Sequence, residues 1–141
     1  MKNKATLMVF LFIMTAAAIP ASAKCRYPSL NIREKEGIGR YLADENGMTL
    51  YRFAKDSPGR STCNGPCAEK WTVYYREKFV KPKVLKKEEF GTIMREDGKR
   101  QLTFRGYPVY YFVNDQQPGD TNGQGVNSVW FVVNPDDAEL K

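Results

Sequence analysis

The chain contains no histidine. That absence removes the usual general base at neutral pH, the Ser-His and Cys-His pairs of nucleophilic catalysis, histidine-ligated haem, and most zinc and copper sites. Cysteine is scarce as well, with three residues at Cys25, Cys63 and Cys67. No Gly-Lys-Ser/Thr is present, so a phosphate loop is excluded. After the N-terminus no apolar run is long enough to cross a bilayer, so no transmembrane span is expected. With these chemistries gone no recognisable catalytic constellation is left, and the residues predict a protein that is not an enzyme and needs no cofactor.

What is present begins with "MKNKATLMVFLFIMTAAAIPASA", residues 1–23: lysines at Lys2 and Lys4, an uncharged stretch from Ala5 to Ala18, and an Ala21-Ser22-Ala23 ending. This is the layout of a secretory signal peptide, which places the product in the periplasm or outside the cell. Lys24 stands immediately before Cys25, where a lipid-modified cysteine needs a small neighbour, and argues against a lipid anchor. Residues 24–141 then make one small domain. Its charge is modest: the 22 basic residues, less the leader's two, against 16 acidic ones leave +4. The densest basic stretch, "REKFVKPKVLKKEE" over 76–89, interleaves acids and has no array of stacking aromatics. Nucleic acid is therefore not an expected partner, and an envelope component or a small ligand remains the open choice.

Laid on itself at a shift of 59 residues, the chain matches. "NGMTLYRFAKD" (46–56) falls on "RGYPVYYFVND" (105–115), pairing Gly47 with Gly106, Tyr51 with Tyr110, Phe53 with Phe112 and Asp56 with Asp115. At the same shift Trp71 falls on Trp130. Two copies, about 30–75 and 89–134, are too few for a solenoid and suit the halves of a pseudo-symmetric domain.

Each copy reads as about four strands. Asn46-Gly47, between "RYLAD" and "MTLYRF", is the preferred centre of a two-residue type I′ hairpin, and Arg105-Gly106 is its weaker equivalent. Asp97-Gly98 separates "GTIMR" from "RQLTF", loosely matched by "NIREKEGIGRYL" in the first copy. "WTVYY" and "VWFVV" supply a last strand in each. Single helical turns are expected at "PCAEK" and near "LKKEEF". The fold class is all-β, two four-stranded repeats packed as a small sandwich or barrel.

Residues two apart in a strand share a face, so Tyr51 points with Phe53 and Tyr110 with Phe112. Alternation assigns these aromatics to the core and gives Asp56 and Asp115 to the turns that follow. A ligand role would need the two aspartates to converge on a cleft lined by Tyr51 and Tyr110. The loop "NDQQPGDTNGQGVN" offers hard oxygens at Asp120, Asn122 and Asn127, a possible weak calcium loop, but Phe131 stands where an EF-hand has its last acid. Cys63 and Cys67, with Asn-Gly-Pro between them, are expected to close a small disulfide in an oxidising compartment. The alternative is a periplasmic redox or copper protein in which the two reduced thiolates hold copper(I), with Met48 or Met94 as a third, soft ligand.

The motif Tyr-x-aromatic-x-x-Asp at Tyr51–Asp56 and Tyr110–Asp115, with the cysteine pair and Trp71, resembles the bacterial secreted-repeat lipoproteins named for that motif. The resemblance covers about residues 38–135, with "PGDTNGQGVNSVWFVV" a specific part of it. It implies an exported β protein without an assigned biochemical activity. Two features depart from the family: Lys24 before Cys25, and "WTV" where members have Trp-Pro-Pro.

Overall fold

The structure, a computed structural model, describes residues 27–140. The expected leader, Lys24 and Cys25 lie outside the described residues. Strands β1 (Asn31–Lys35) and β2 (Gly39–Ala43) form an antiparallel hairpin, with Asn31 opposite Ala43 and Lys35 opposite Gly39. After β3 (Tyr51–Phe53) a loop leads to the five-residue helix α1 (Pro66–Lys70). A 3-10 turn over Lys87–Glu89 then opens the second copy: β4 (Phe90–Met94), β5 (Arg100–Phe104) and β6 (Tyr107–Pro108) form a three-stranded antiparallel sheet. Strand β7 (Trp130–Val132) closes the series and pairs antiparallel with β3. The sheets stay open, a small all-β sandwich and not a closed barrel, and the two expected helical turns are α1 and Lys87–Glu89.

The two copies exchange their last strands. Tyr51 of β3 lies opposite Val132, and Phe53 opposite Trp130, so the end of the second copy completes the first. Reciprocally, Tyr111 N–H donates to Thr72 O (2.8 Å) and Tyr74 N–H to Val109 O (3.1 Å), so the end of the first copy completes the second. Each half contains a ring of three backbone hydrogen bonds. In one, Leu42 N–H donates to Val133 O, Val133 N–H to Leu50 O, and Leu50 N–H to Leu42 O. In the other, Leu102 N–H donates to Tyr74 O, Tyr74 N–H to Val109 O, and Val109 N–H to Leu102 O. Two of the three bonds in each ring, those made by Val133 and by Tyr74, cross between the copies, so either copy alone would leave their partners unsatisfied, which is costly in a buried strand.

Three local expectations are corrected. "WTVYY" is not a regular strand, because Val73 bridges Tyr110 while Tyr74 turns its N–H to Val109 and its C=O to Leu102, two different neighbours. The described residues therefore carry seven named strands rather than about eight. Asn46-Gly47 is not a two-residue type I′ turn: Gly47 N–H closes on Asp44 O, Asp44 N–H on Met48 O, and of the pair only Gly47 has positive φ (82°). The Asp44 carboxylate causes this, since its Oδ1 accepts from Asn46 N–H (2.9 Å) and Met48 N–H (2.8 Å) and draws the loop to three residues. The supposedly weaker Arg105-Gly106 is the two-residue turn, with φ of 49° and 87° and Phe104 opposite Tyr107. Arg105 is held in that left-handed conformation by Glu89, which takes its N–H on the main-chain oxygen and its guanidinium on Oε1 (2.7 Å).

Two apolar clusters drive the assembly, and each mixes both copies. Leu42, Leu50, Tyr74, Leu102, Phe104, Val109 and Val133 form one. Tyr41, Tyr51, Trp71, Tyr110, Trp130 and Val132 form the other, around the exchanged strands.

Candidate functional site

The repeated motif meets itself at the centre of the second cluster. Tyr51 N–H donates to Tyr110 O and Tyr110 N–H donates to Tyr51 O, both at 2.9 Å, so the pseudo-twofold axis runs between these two residues. Their hydroxyls then cross over. Tyr51 Oη donates to Asp115 Oδ2 and Tyr110 Oη donates to Asp56 Oδ2, each at 2.6 Å, so the tyrosine of one copy bonds the aspartate of the other. The remaining carboxylate oxygens organise the loops: Asp56 Oδ1 accepts from Thr62 N–H (2.7 Å) and Thr62 Oγ1 (3.0 Å), and Asp115 Oδ1 accepts from Asn122 N–H (2.9 Å).

The aromatics of the motif stack in a row. Trp71 and Trp130 lie face to face with ring centres 3.7 Å apart, flanked by Phe112 on Trp71 (4.1 Å) and Phe53 on Trp130 (4.3 Å). Tyr51 sets its edge on Trp71 and Tyr110 on Trp130, again symmetrically. Edge contacts such as those of the two tyrosines add about 0.5–1.5 kcal/mol each beyond burial. The loops continue the exchange, for Gly59 N–H donates to Gly106 O and Gly119 N–H to Gly47 O. A methyl group on Gly106 would lie 3.1 Å from Pro58, and one on Gly47 3.1 Å from Pro118.

Burial shapes the ionisation of these groups. Asp56 and Asp115 are each 7 % exposed. Desolvation raises both carboxyls above their usual 3.8, against the pull of the tyrosine and threonine or asparagine donors. Burial likewise pushes the Tyr51 and Tyr110 hydroxyls well above the ordinary phenol range, so both remain neutral donors. Two open clefts, of about 480 and 470 Å³, are lined by other residues and by none of the motif's tyrosines or aspartates.

Cys63 and Cys67 are joined by a disulfide that closes the loop ahead of α1, as their spacing predicts. That loop is pinned by a residue that strand patterning alone does not single out. Arg95, its side chain 1 % exposed, donates to Ser61 Oγ (2.6 Å), Cys63 O (2.6 Å), Gln101 Oε1 (2.7 Å) and Asn64 Oδ1 (3.3 Å). Ser61, whose oxygen takes the Arg95 proton, passes its own to Tyr110 Oη (2.7 Å). The second copy has a fainter counterpart: Lys35 Nζ donates to Gly119 O (3.0 Å) and Thr121 Oγ1 (3.1 Å) from an exposed position. These loop residues correspond at a shift of 60 rather than 59, a one-residue slip that hides them from a fixed-register comparison.

The remaining candidates are dispersed. Asp120 Oδ2 accepts from the N–H groups of Gln116 and Gln117, Asn122 Nδ2 donates to Asn114 O, and Asn127 lies in a left-handed turn (φ 51°). Their polar atoms shape the loop itself, as turn-forming Asp and Asn do. Met94 is an exposed residue of β4 and Met48 follows the Asp44 turn. Among the described residues no group of three or more Cys, Asp or Glu side chains is gathered closely enough to hold a metal ion, and no helix is long and apolar enough to cross a membrane.

No curated protein and no solved structure matches the chain. One family model matches it twice, over residues 35–74 and 91–134, which is more than half of its length and coincides with the two exchanged copies. The chain therefore belongs to the Lipoprotein_15 family, described as a secreted repeat of unknown function.

Proposed function

We propose that this is a non-enzymatic protein of the bacterial cell envelope, periplasmic or released, whose family motif is a seam that locks two half-domains into one rigid binding or structural body. The observation that carries this reading is the crossed pairing of Tyr51 with Asp115 and of Tyr110 with Asp56. Each tyrosine hydroxyl and one oxygen of each aspartate hold the halves together, the second carboxylate oxygens are taken by loop donors of their own copy, and buried bonds of this kind serve rigidity and fold specificity. In the same reading the Cys63–Cys67 disulfide is a staple for the first loop, as Asp115 and its donors order the second without one.

Copper(I) titration of the reduced protein against a chromophoric chelator tests this, beside the Cys63→Ser/Cys67→Ser variant. The seam reading expects both proteins to stay folded and to compete equally weakly for copper. One tightly held copper(I) per reduced chain, lost in the variant, would overturn it and make the disulfide loop the active centre.

A further inference from the structure

The two copies differ at one exposed edge. β1, the outer strand of the first copy, carries Arg33, Glu34 and Lys35 among its five residues, the charged protection that an unpaired strand ordinarily has. β4, the outer strand of the second, is "FGTIM", with no charge and no proline. Leu102 spends its N–H on Tyr74 and its C=O on Val109. The β4–β5 bonds therefore fall at the pairs Gly91 with Thr103 and Ile93 with Gln101, and the alternation of an antiparallel ladder turns the N–H and C=O of Thr92 and Met94 outward. Among the described residues nothing outside the ladder bonds to them. Gly91 and Thr92 are exposed and Met94 is 65 % exposed.

The edge borders the cleft of about 480 Å³, whose wall includes Phe79, Phe90, Gly91 and Thr92. Its rim is cationic: Lys78, Lys81 and Lys87 stand there against Glu77, while Arg76 is already paired with Glu45 at 2.8 Å. Glycine at an edge also lets another backbone approach closely.

We propose that β4 is a docking edge for an extended, acidic polypeptide segment of another protein, added as a further strand. Its backbone would bond Thr92 and Met94, its apolar side chains would rest on Phe79 and Phe90, and its carboxylates would meet Lys78 and Lys87. Main-chain bonds would supply affinity and the charges the choice of partner. This inference stands apart from the seam, which contributes no residue to it.

The test uses a synthetic octapeptide alternating valine with aspartate and glutamate, and a second with lysine in place of the acids. Amide exchange at Thr92 and Met94 and binding isotherms are the readouts. The acidic peptide is expected to bind, to slow exchange at both amides, and to exceed the lysine peptide by at least about tenfold in affinity. Thr92→Pro removes only an outward N–H and is expected to abolish binding. Should it fail to fold, Lys78→Glu/Lys87→Glu serves instead, reversing the preference between the peptides. Equal affinity for both peptides, binding without protection of those two amides, no binding at millimolar peptide, or pairing of β4 with a second copy of the chain would each overturn the proposal.

Discussion

Replacing Arg95 by methionine keeps the apolar length of the side chain and deletes its guanidinium. Five acceptors lose a donor, and three of them, Ser61 Oγ, Cys63 O and Gln101 Oε1, are in buried bonds of 2.6–2.7 Å. A hydrogen bond to a charged group nets about 1.5–3 kcal/mol, but these bonds share one donor whose own desolvation is relieved by the substitution, so they do not add. Ser61 also keeps Tyr110 as a partner, and Asp97, at 3.4 Å, is solvated and adds little. The expected loss is about 3 kcal/mol, a fall of about 12 °C in Tm at about 4 °C per kcal/mol for a domain of this size. Arg95→Lys is expected to recover less than half, since one ammonium cannot reach acceptors spread across a planar fork. Lys35→Ala, at the exposed counterpart, should cost about 0.5 kcal/mol or less. Urea unfolding followed by tryptophan fluorescence measures all three, because the stacked Trp71 and Trp130 separate on unfolding. A loss below about 1 kcal/mol for Arg95→Met, or an equal loss for Lys35→Ala, would refute the view that the first loop is held from beneath by a buried cation.

Two further predictions follow from the seam. Asp56 and Asp115 have native carboxyls raised above 3.8, chiefly by desolvation, so between 3.8 and the raised value the native state holds protons that the unfolded chain releases. Their contribution is fully present below the unfolded value and is lost as pH rises through the native one. Wild type compared with Asp56→Asn/Asp115→Asn should accordingly gain relative stability as the pH falls through the raised native value toward 3.8, and a flat or opposite trend would contradict the assignment. Gly123→Ala puts a methyl group 2.7 Å from Tyr51 Cε1 and 2.8 Å from Trp71 Cη2, with no flexible neighbour to yield. It should cost about 2 kcal/mol by the same urea assay, and an unchanged midpoint would show that the seam has slack.

Much of this site was legible in the sequence, and the reason is periodicity. The shift of 59 residues aligned Tyr51 with Tyr110 and Trp71 with Trp130, and strand alternation put the aromatics on one face. The cysteine spacing likewise pointed to the Cys63–Cys67 bridge. Alignment of two copies does not reveal which copy a strand completes, because pairing within a copy and pairing across copies demand the same apolar pattern. The exchange of last strands, and with it the crossing of Tyr51 to Asp115, was therefore out of reach. Turn chemistry failed for a different reason. Asn46-Gly47 has the ideal composition for a two-residue turn, yet the Asp44 side chain outcompetes it, while Glu89 supports Arg105 in a conformation its own type disfavours. Both outcomes depend on side chains outside the turn pair. Arg95 was missed because a cation in a strand-flanking turn looks solvated until the disulfide loop folds over it.

Double-mutant cycles on the four seam residues test the central claim most directly, with Tyr→Phe and Asp→Asn substitutions and stability as the readout. The account predicts coupling of about 1–2 kcal/mol for Tyr51 with Asp115 and for Tyr110 with Asp56, and less than about 0.5 kcal/mol for Tyr51 with Asp56 and Tyr110 with Asp115. Coupling confined to the tyrosine and aspartate of the same copy, or absent from all four pairs, would contradict a seam built by exchange between the repeats.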